Sequence, residues 1–267
     1  NLMPTTEQLL NLVMFCRKIN IPFSVYKFLN NGSSGFSYSE RQANKHISHP
    51  DSPFITDAKT LQPDQTTRLV QLFTHKQSKS DFKRCAENLH RSAMYFGDYY
   101  MNRRSYNDPE YHSVPSIMHK YYLSSTPLNE AFIAMDSIIG KFRKDYRTDK
   151  VALVTLTDGS ANSVSSVDGG QLMIKLNNRY KKCEYSWRGS KGKDLTQHLL
   201  EYLKKKYQLQ TIGFFLVKKY NELRYTFNVP YTKEALAKRM FTRDKFIADY
   251  STGYDVYFYV KSDTKVV

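Results

Sequence analysis

The period of apolar positions changes once within the first thirty residues. Over residues 5–18, TTEQLLNLVMFCRK, Leu9, Leu10, Leu12, Val13 and Phe15 recur at helical spacing behind a Thr-x-x-Gln start that resembles a capping box, which predicts a helix. Asn20 to Pro22 interrupt that pattern. PFSVYKFLNN then alternates Phe23, Val25 and Lys27 against Ser24, Tyr26 and Phe28, and it ends in an Asn-Asn-Gly-Ser-Ser-Gly turn cluster, so a buried strand is expected after the helix.

From about 32 to 115 polar residues, His, Pro and Tyr dominate and long periodicity is scarce. Short helices are expected at 64–74 and at 81–95, the second with Phe82, Cys85, Leu89 and Met94 near one face. This block reads as an insertion lying outside the main sheet. Regular patterning resumes with PLNEAFIAMDSIIGKFRKDYR, 127–147. Leu128, Ala131, Phe132, Met135, Ile138, Ile139 and Phe142 form one stripe, and Pro127 suits the first turn of a helix that begins at Thr126. The nearly unbroken apolar run Val151 to Leu156 is the pattern of a strand buried on both faces of a parallel sheet.

Residues 169–187 alternate around Asn177-Asn178-Arg179 and predict a β-hairpin. A helix at 194–206, a buried strand at 211–219, a helix near 232–248 and a last strand at 255–261 complete the chain. Helices alternating with apolar strands give the class: α/β, a mostly parallel sheet flanked by helices, in one domain that carries the 32–115 insertion and a β-hairpin insertion at 170–187.

Composition narrows the partners. The 267 residues are 40% apolar, with 16 Phe and 21 Tyr, which is ample for a packed core. The net charge of +15 creates a field that attracts nucleic acid, anionic membrane or an acidic protein, but the basic residues are dispersed, with only short clusters such as Lys204 to Lys206. Cys16, Cys85 and Cys183 show no metal-ligand spacing and read as reduced thiols of a cytoplasmic protein. No stretch reaches the length of a membrane span. The sequence begins at Asn1 and not at Met, and a removed or omitted upstream segment is expected.

In an open α/β sheet, ligands bind at the carboxyl ends of the strands. Two segments put oxygen donors there. Ser124-Ser125-Thr126-Pro127 brings hydroxyls to a helix start, and Thr157-Asp158-Gly159-Ser160 sets a carboxylate directly after a strand. Such donors suit Mg²⁺. The same residues also have a purely structural use, Thr126 as a helix cap and Asp158-Gly159 as a turn. His46 and His49 lack a third ligand at zinc spacing, and the polar loop 162–170 either shapes the site or merely connects. No hydrolase elbow, P-loop or catalytic carboxylate pair is present, so an enzyme with its own active site is not expected.

S-S-T-P-L-N-E-A, followed about thirty residues later by V-A-L-V-T-L-T-D-G, resembles the second and third parts of the metal-ion-dependent adhesion site of von Willebrand factor A (vWA) domains. The wording is most similar to the cobalt-chelatase CobT-like group, versions of which occur in tailed bacteriophages. The resemblance covers 5–30, 120–160 and, more loosely, 195–260. It implies a vWA fold, metal ligation by Thr126 and Asp158 with Ser125 and Ser160 beside them, a protein partner that completes the Mg²⁺ shell with an acidic side chain, and cooperation with a MoxR-class AAA+ ATPase. The D-x-S-x-S loop, the family's first part, does not occur before Thr5. The alternative is a metal-free phage structural or nucleic-acid-binding protein of the same fold that uses its basic surface and its Tyr-rich segment 94–112.

Overall fold

The computed structural model describes residues 2–30, 61–62, 67–102, 126–157, 161, 165–166, 172–176, 179–183, 191–223 and 234–262. The elements are α1 (Leu2–Lys18), β1 (Ser24–Asn30), β2 (Leu61–Gln62), β3 (Thr67–Thr74), α2 (Lys79–Asn102), α3 (Leu128–Tyr146), β4 (Ala152–Thr157), β5 (Ser165–Ser166), β6 (Leu172–Leu176), β7 (Arg179–Cys183), α4 (Lys191–Tyr207), β8 (Gln210–Val217), α5 (Tyr220–Leu223), α6 (Glu234–Asp244), β9 (Phe246–Asp249) and β10 (Val256–Lys261).

The class is α/β. A four-stranded sheet has the order β4-β8-β10-β9; β4 and β10 run parallel to β8, and β9 is antiparallel to β10. The expected hairpin is present as a separate antiparallel pair, β6-β7, in which Leu176 faces Arg179 across the two residues Asn177 and Asn178. β2 and β5 join the 32–115 block to the polar loop of 162–170.

Several sequence expectations change in the structure. The segment expected as a helix at 64–74 is the strand β3, antiparallel to β1 from Ser24↔Thr74 to Asn30↔Thr67. TRLVQLFT is a short run of Thr, Val, Leu and Phe that fits both periods, and pairing with β1 decides for the strand. The 32–115 block therefore contributes directly to the layer that holds β1. The second helix is longer than expected, 79–102, and Ser78 opens it: its Oγ accepts from the Asp81 backbone N–H at 3.1 Å. Of the stripe on α2, Phe82, Cys85 and Leu89 pack around Val13 and Phe73, whereas Met94 is half exposed and Ala93 is buried in its place.

α1 begins at Leu2, so Thr5 does not cap it and Thr6 lies buried within it. Of its apolar residues only Val13 is buried; Leu12 and Phe15 are exposed. Pro127 occupies the N-cap of α3, not its first turn, and the helix closes at Arg147 in the left-handed region. The helix expected at 232–248 ends at Asp244, and Lys245, at φ 66°, turns the chain into β9.

The main core joins α3 and α4 to β8 and β10. Leu195, Leu199, Leu200 and Leu203 of α4 meet Phe132 and Ile139 of α3 over Phe215, Val217, Tyr257 and Tyr259. Partly buried Phe28 of β1 packs on the same core, and Thr74 Oγ1 lies 3.2 Å from the Tyr146 hydroxyl, which ties the β1-β3 pair to α3. Arg143 fixes the turn into β4: it donates to the carbonyls of Tyr207 (3.1 Å), Thr148 (3.3 Å) and Asp149 (3.1 Å).

The apolar run of β4 is not buried on both faces. Ala152 is exposed, Leu153, Val154 and Leu156 are half-buried, and only Thr155 and Thr157 are buried. The cause is position: β4 is the edge of its sheet, and beyond its unpaired side lies an open cavity.

Candidate functional site

The carboxyl end of β4 is formed by Thr157, whose side chain is 4% exposed. Thr126, the residue two before α3, lines the same cavity as Thr157, together with Thr5 and Thr6 from the first turns of α1. The structure therefore brings the Thr-Pro segment and the end of the apolar strand to one cavity, although about thirty residues separate them in sequence. Thr126 is half-buried, and its carbonyl accepts from the Leu128 backbone N–H at 2.8 Å.

Asp158, Ser125 and Ser160, the other expected ligands, lie outside the described residues, as do His46 and His49. Hydroxyl oxygens at a strand end are donors of the kind a hard cation takes, so the chemistry of Thr126 suits Mg²⁺. Among the described residues no group of three or more His, Cys, Asp or Glu is close enough to hold a metal.

Behind Thr126 the first turn of α3 is polar yet buried. Asn129 is 0% exposed and Glu130 2%. The Thr196 hydroxyl of α4 donates to Asn129 Oδ1 at 2.7 Å, which satisfies part of that amide inside the α3-α4 contact. Sequence reasoning quoted both residues only as part of a motif. The signal was available: Asn129 and Glu130 stand directly between Leu128 and Ala131 of the buried stripe, where a polar side chain must find a partner or cost several times a surface substitution.

A second polar cluster also escaped the sequence reading. Asp255, before β10, accepts through Oδ2 from the Thr211 backbone N–H (2.7 Å) and hydroxyl (3.2 Å), and through Oδ1 from Lys204 Nζ (3.0 Å); its own N–H donates to Thr211 Oγ1 at 2.9 Å. Burial opposes its charge, but the bonds from Thr211 and Lys204 outweigh that and hold the carboxyl below the usual range. Thr211 begins β8, so this cluster sits at the amino ends of the strands, away from Thr157, and works as a clasp between β8 and β10. On the α3-α4 surface Lys206 Nζ reaches both Asp136 oxygens at 2.9 Å, and the Tyr207 hydroxyl donates to the Asp136 carbonyl at 2.6 Å.

Among the described residues no helix is long and apolar enough to cross a membrane. Comparison with protein-family models, with curated proteins and with solved structures returns no match for this chain.

Proposed function

We propose that this chain is a binding module of vWA type, not an enzyme, which recognises a protein partner at the carboxyl end of β4. In this reading Thr126 and Asp158, with Ser125 and Ser160 beside them, hold Mg²⁺, and an acidic side chain of the partner completes the coordination. The observation that carries it is the convergence of Thr126 and Thr157 on one cavity at the end of a parallel strand, where open α/β sheets place their ligands. The likeness of the two segments to the CobT-like group points to a MoxR-class AAA+ ATPase as the co-worker, with this chain selecting the target. The net charge of +15 favours an acidic partner surface.

Calorimetric titration with Mg²⁺ tests the reading. Saturable binding that EDTA reverses, and that Thr126→Ala and Asp158→Ala each weaken at least tenfold, is the expected result. No binding to the wild-type chain would refute the metal role.

The same net charge supports a second reading, a metal-free protein of this fold that binds nucleic acid. Affinity for a DNA duplex would then fall steeply between 50 and 200 mM salt through counterion release, and would ignore EDTA.

A further inference from the structure

β4 has the composition of an interior strand but the position of an edge. Its parity is fixed by one bond, from the Gln210 backbone N–H to the Val151 carbonyl at 3.1 Å. In a parallel ladder the N–H and C=O of a residue point to the same neighbour, and successive residues alternate. Val151, Leu153, Thr155 and Thr157 therefore pair with β8, while the amides and carbonyls of Ala152, Val154 and Leu156 point away from it. The same alternation holds on the far side of β8, where Thr211 and Val217 accept from Asp255 and Ser262 at 3.0 and 2.8 Å. No strand among the described residues pairs with the outward row of β4.

That row opens on a cavity of about 1360 Å³. Small-molecule sites run to roughly 300–1,000 Å³ and present a few converging polar groups; this one is longer and is walled chiefly by apolar side chains. One wall is β4 from end to end. The opposite wall is β1, from Ser24 to Phe28, whose only ladder partner among the described residues is β3. Phe132 and Met135 of α3 floor it, and Leu2, Thr6 and Leu9 of α1 close another side. Two strand edges thus face one apolar slot, and each carries main-chain groups that cost free energy when left unpaired away from water.

We infer that the slot between β1 and β4 is the seat of one further β-strand of about six residues, matching the length of β4, supplied by polypeptide joined to the amino end of α1. The connection identifies the occupant. The first turns of α1 line the slot, and α1 leads directly into β1, the far wall. A strand in the slot followed by α1 and β1 makes a β-α-β unit of neighbouring strands, the ordinary way a helix covers a parallel pair. It would unite β3-β1 and β4-β8-β10-β9 into one continuous sheet and bury both faces of β4. This inference stands apart from the metal reading, and its test contains no metal.

The experiment is amide hydrogen exchange, resolved by residue in β4, on the 267-residue chain and on the full product of its gene. In the 267-residue chain Ala152, Val154 and Leu156 exchange at least tenfold faster than Leu153 and Thr155, because only the latter are bonded to β8. In the full product the three outward amides slow by at least a hundredfold. A proline contrast supplies the second readout. Val154→Pro, which removes an outward N–H, lowers the urea midpoint of the 267-residue chain less than Thr155→Pro, and lowers that of the full product by as much. Exchange that is fast in both proteins or slow in both, protection that appears only in a dimer, or equal proline effects in the 267-residue chain would overturn the inference.

Discussion

Lys27 offers the sharpest test of how β1 sits. It lies in the middle of β1 on the wall of the slot, and burial pushes its ammonium from an ordinary value near 10.5 down to about 8. A lowered value means that the native state holds the proton less tightly than the unfolded chain. Below pH 8 both states are charged and the penalty is at its full size. At ~1.4 kcal/mol for each tenfold change in proton affinity, the interval from 10.5 to about 8 corresponds to about 3 kcal/mol, an upper bound because the side chain is only partly removed from water. Between pH 8 and 10.5 the unfolded chain binds a proton that the native state does not, so stability rises with pH. Other titratable or charged groups on the same cavity are Tyr26, Asp149, Lys150 and Lys218. Lys27→Met keeps the apolar stem and deletes the charge.

Urea unfolding followed by circular dichroism, at pH 7 and pH 9.5, separates the possibilities. The wild type should gain up to about 2 kcal/mol between the two, and Lys27→Met should be more stable by up to about 3 kcal/mol at pH 7 and show little of that gain. The range stops at 9.5 because burial raises the phenols of Tyr254, Tyr257 and Tyr259, and their ionisation in the unfolded chain would reduce stability at higher pH. A wild type with flat stability from pH 7 to 9.5, or a Lys27→Met protein no more stable than it, would refute the reasoning and show the ammonium solvated.

Other substitutions probe the rest of the sheet. A methyl group on Gly213 would overlap the ring of Tyr257 and stand 3.2 Å from Tyr254 Cε1, so Gly213→Ala should cost about 1–3 kcal/mol by overpacking, read as a lowered thermal midpoint. Asp255→Ala removes the acceptor of the Thr211 amide at the β8-β10 clasp and should cost about 1–3 kcal/mol at pH 7. Because the Asp255 carboxyl is held low, that loss should shrink as pH falls through its native value, and an undiminished difference at pH 2 would contradict the clasp.

The parts legible in sequence were those where one long pattern decides. The stripe of α3 fell where expected, with Leu128, Ala131, Phe132 and Ile139 buried, and the alternation about Asn177-Asn178 gave the β6-β7 hairpin. Helix ends were harder, for a physical reason. α1, α3, α4 and α6 are followed by left-handed residues at Asn20, Arg147, Gln208 and Lys245, not by glycine, so the usual stop signal is missing and α6 ran on in the sequence reading through what is β9. β3 was missed because eight residues of mixed Thr, Leu, Val and Phe fit either period, and the pairing that decides lies more than thirty residues away in β1. At the candidate site Thr126 was found from its motif, while Asn129 and Glu130 were passed over because a helix start tolerates polar residues at the surface, and only the α3-α4 contact shows these two to be inside.

At β4 sequence and structure disagree in an instructive way. Four aliphatic residues between Lys150 and Thr155 are what a strand covered on both faces requires, and an edge strand with that composition is an invitation to further pairing unless a charge, a proline or a bulge blunts it. β4 has none of these within Ala152–Thr157. The residues are therefore those of an interior strand whose second neighbour is missing from the described ladder. β1, with apolar Val25 and Phe28 in the wall across the slot, makes the same statement from the other side. The two readings of the cavity at the end of β4 then depend on one another in order. A strand seated between β1 and β4 would end near one of the slot's mouths, and whichever donors it carries there would join Thr126 and Thr157. For that reason the exchange experiment precedes the Mg²⁺ titration: a chain whose outward β4 amides exchange rapidly has an incomplete sheet, and Mg²⁺ affinity measured on it sets a lower bound on that of the protein with the slot filled.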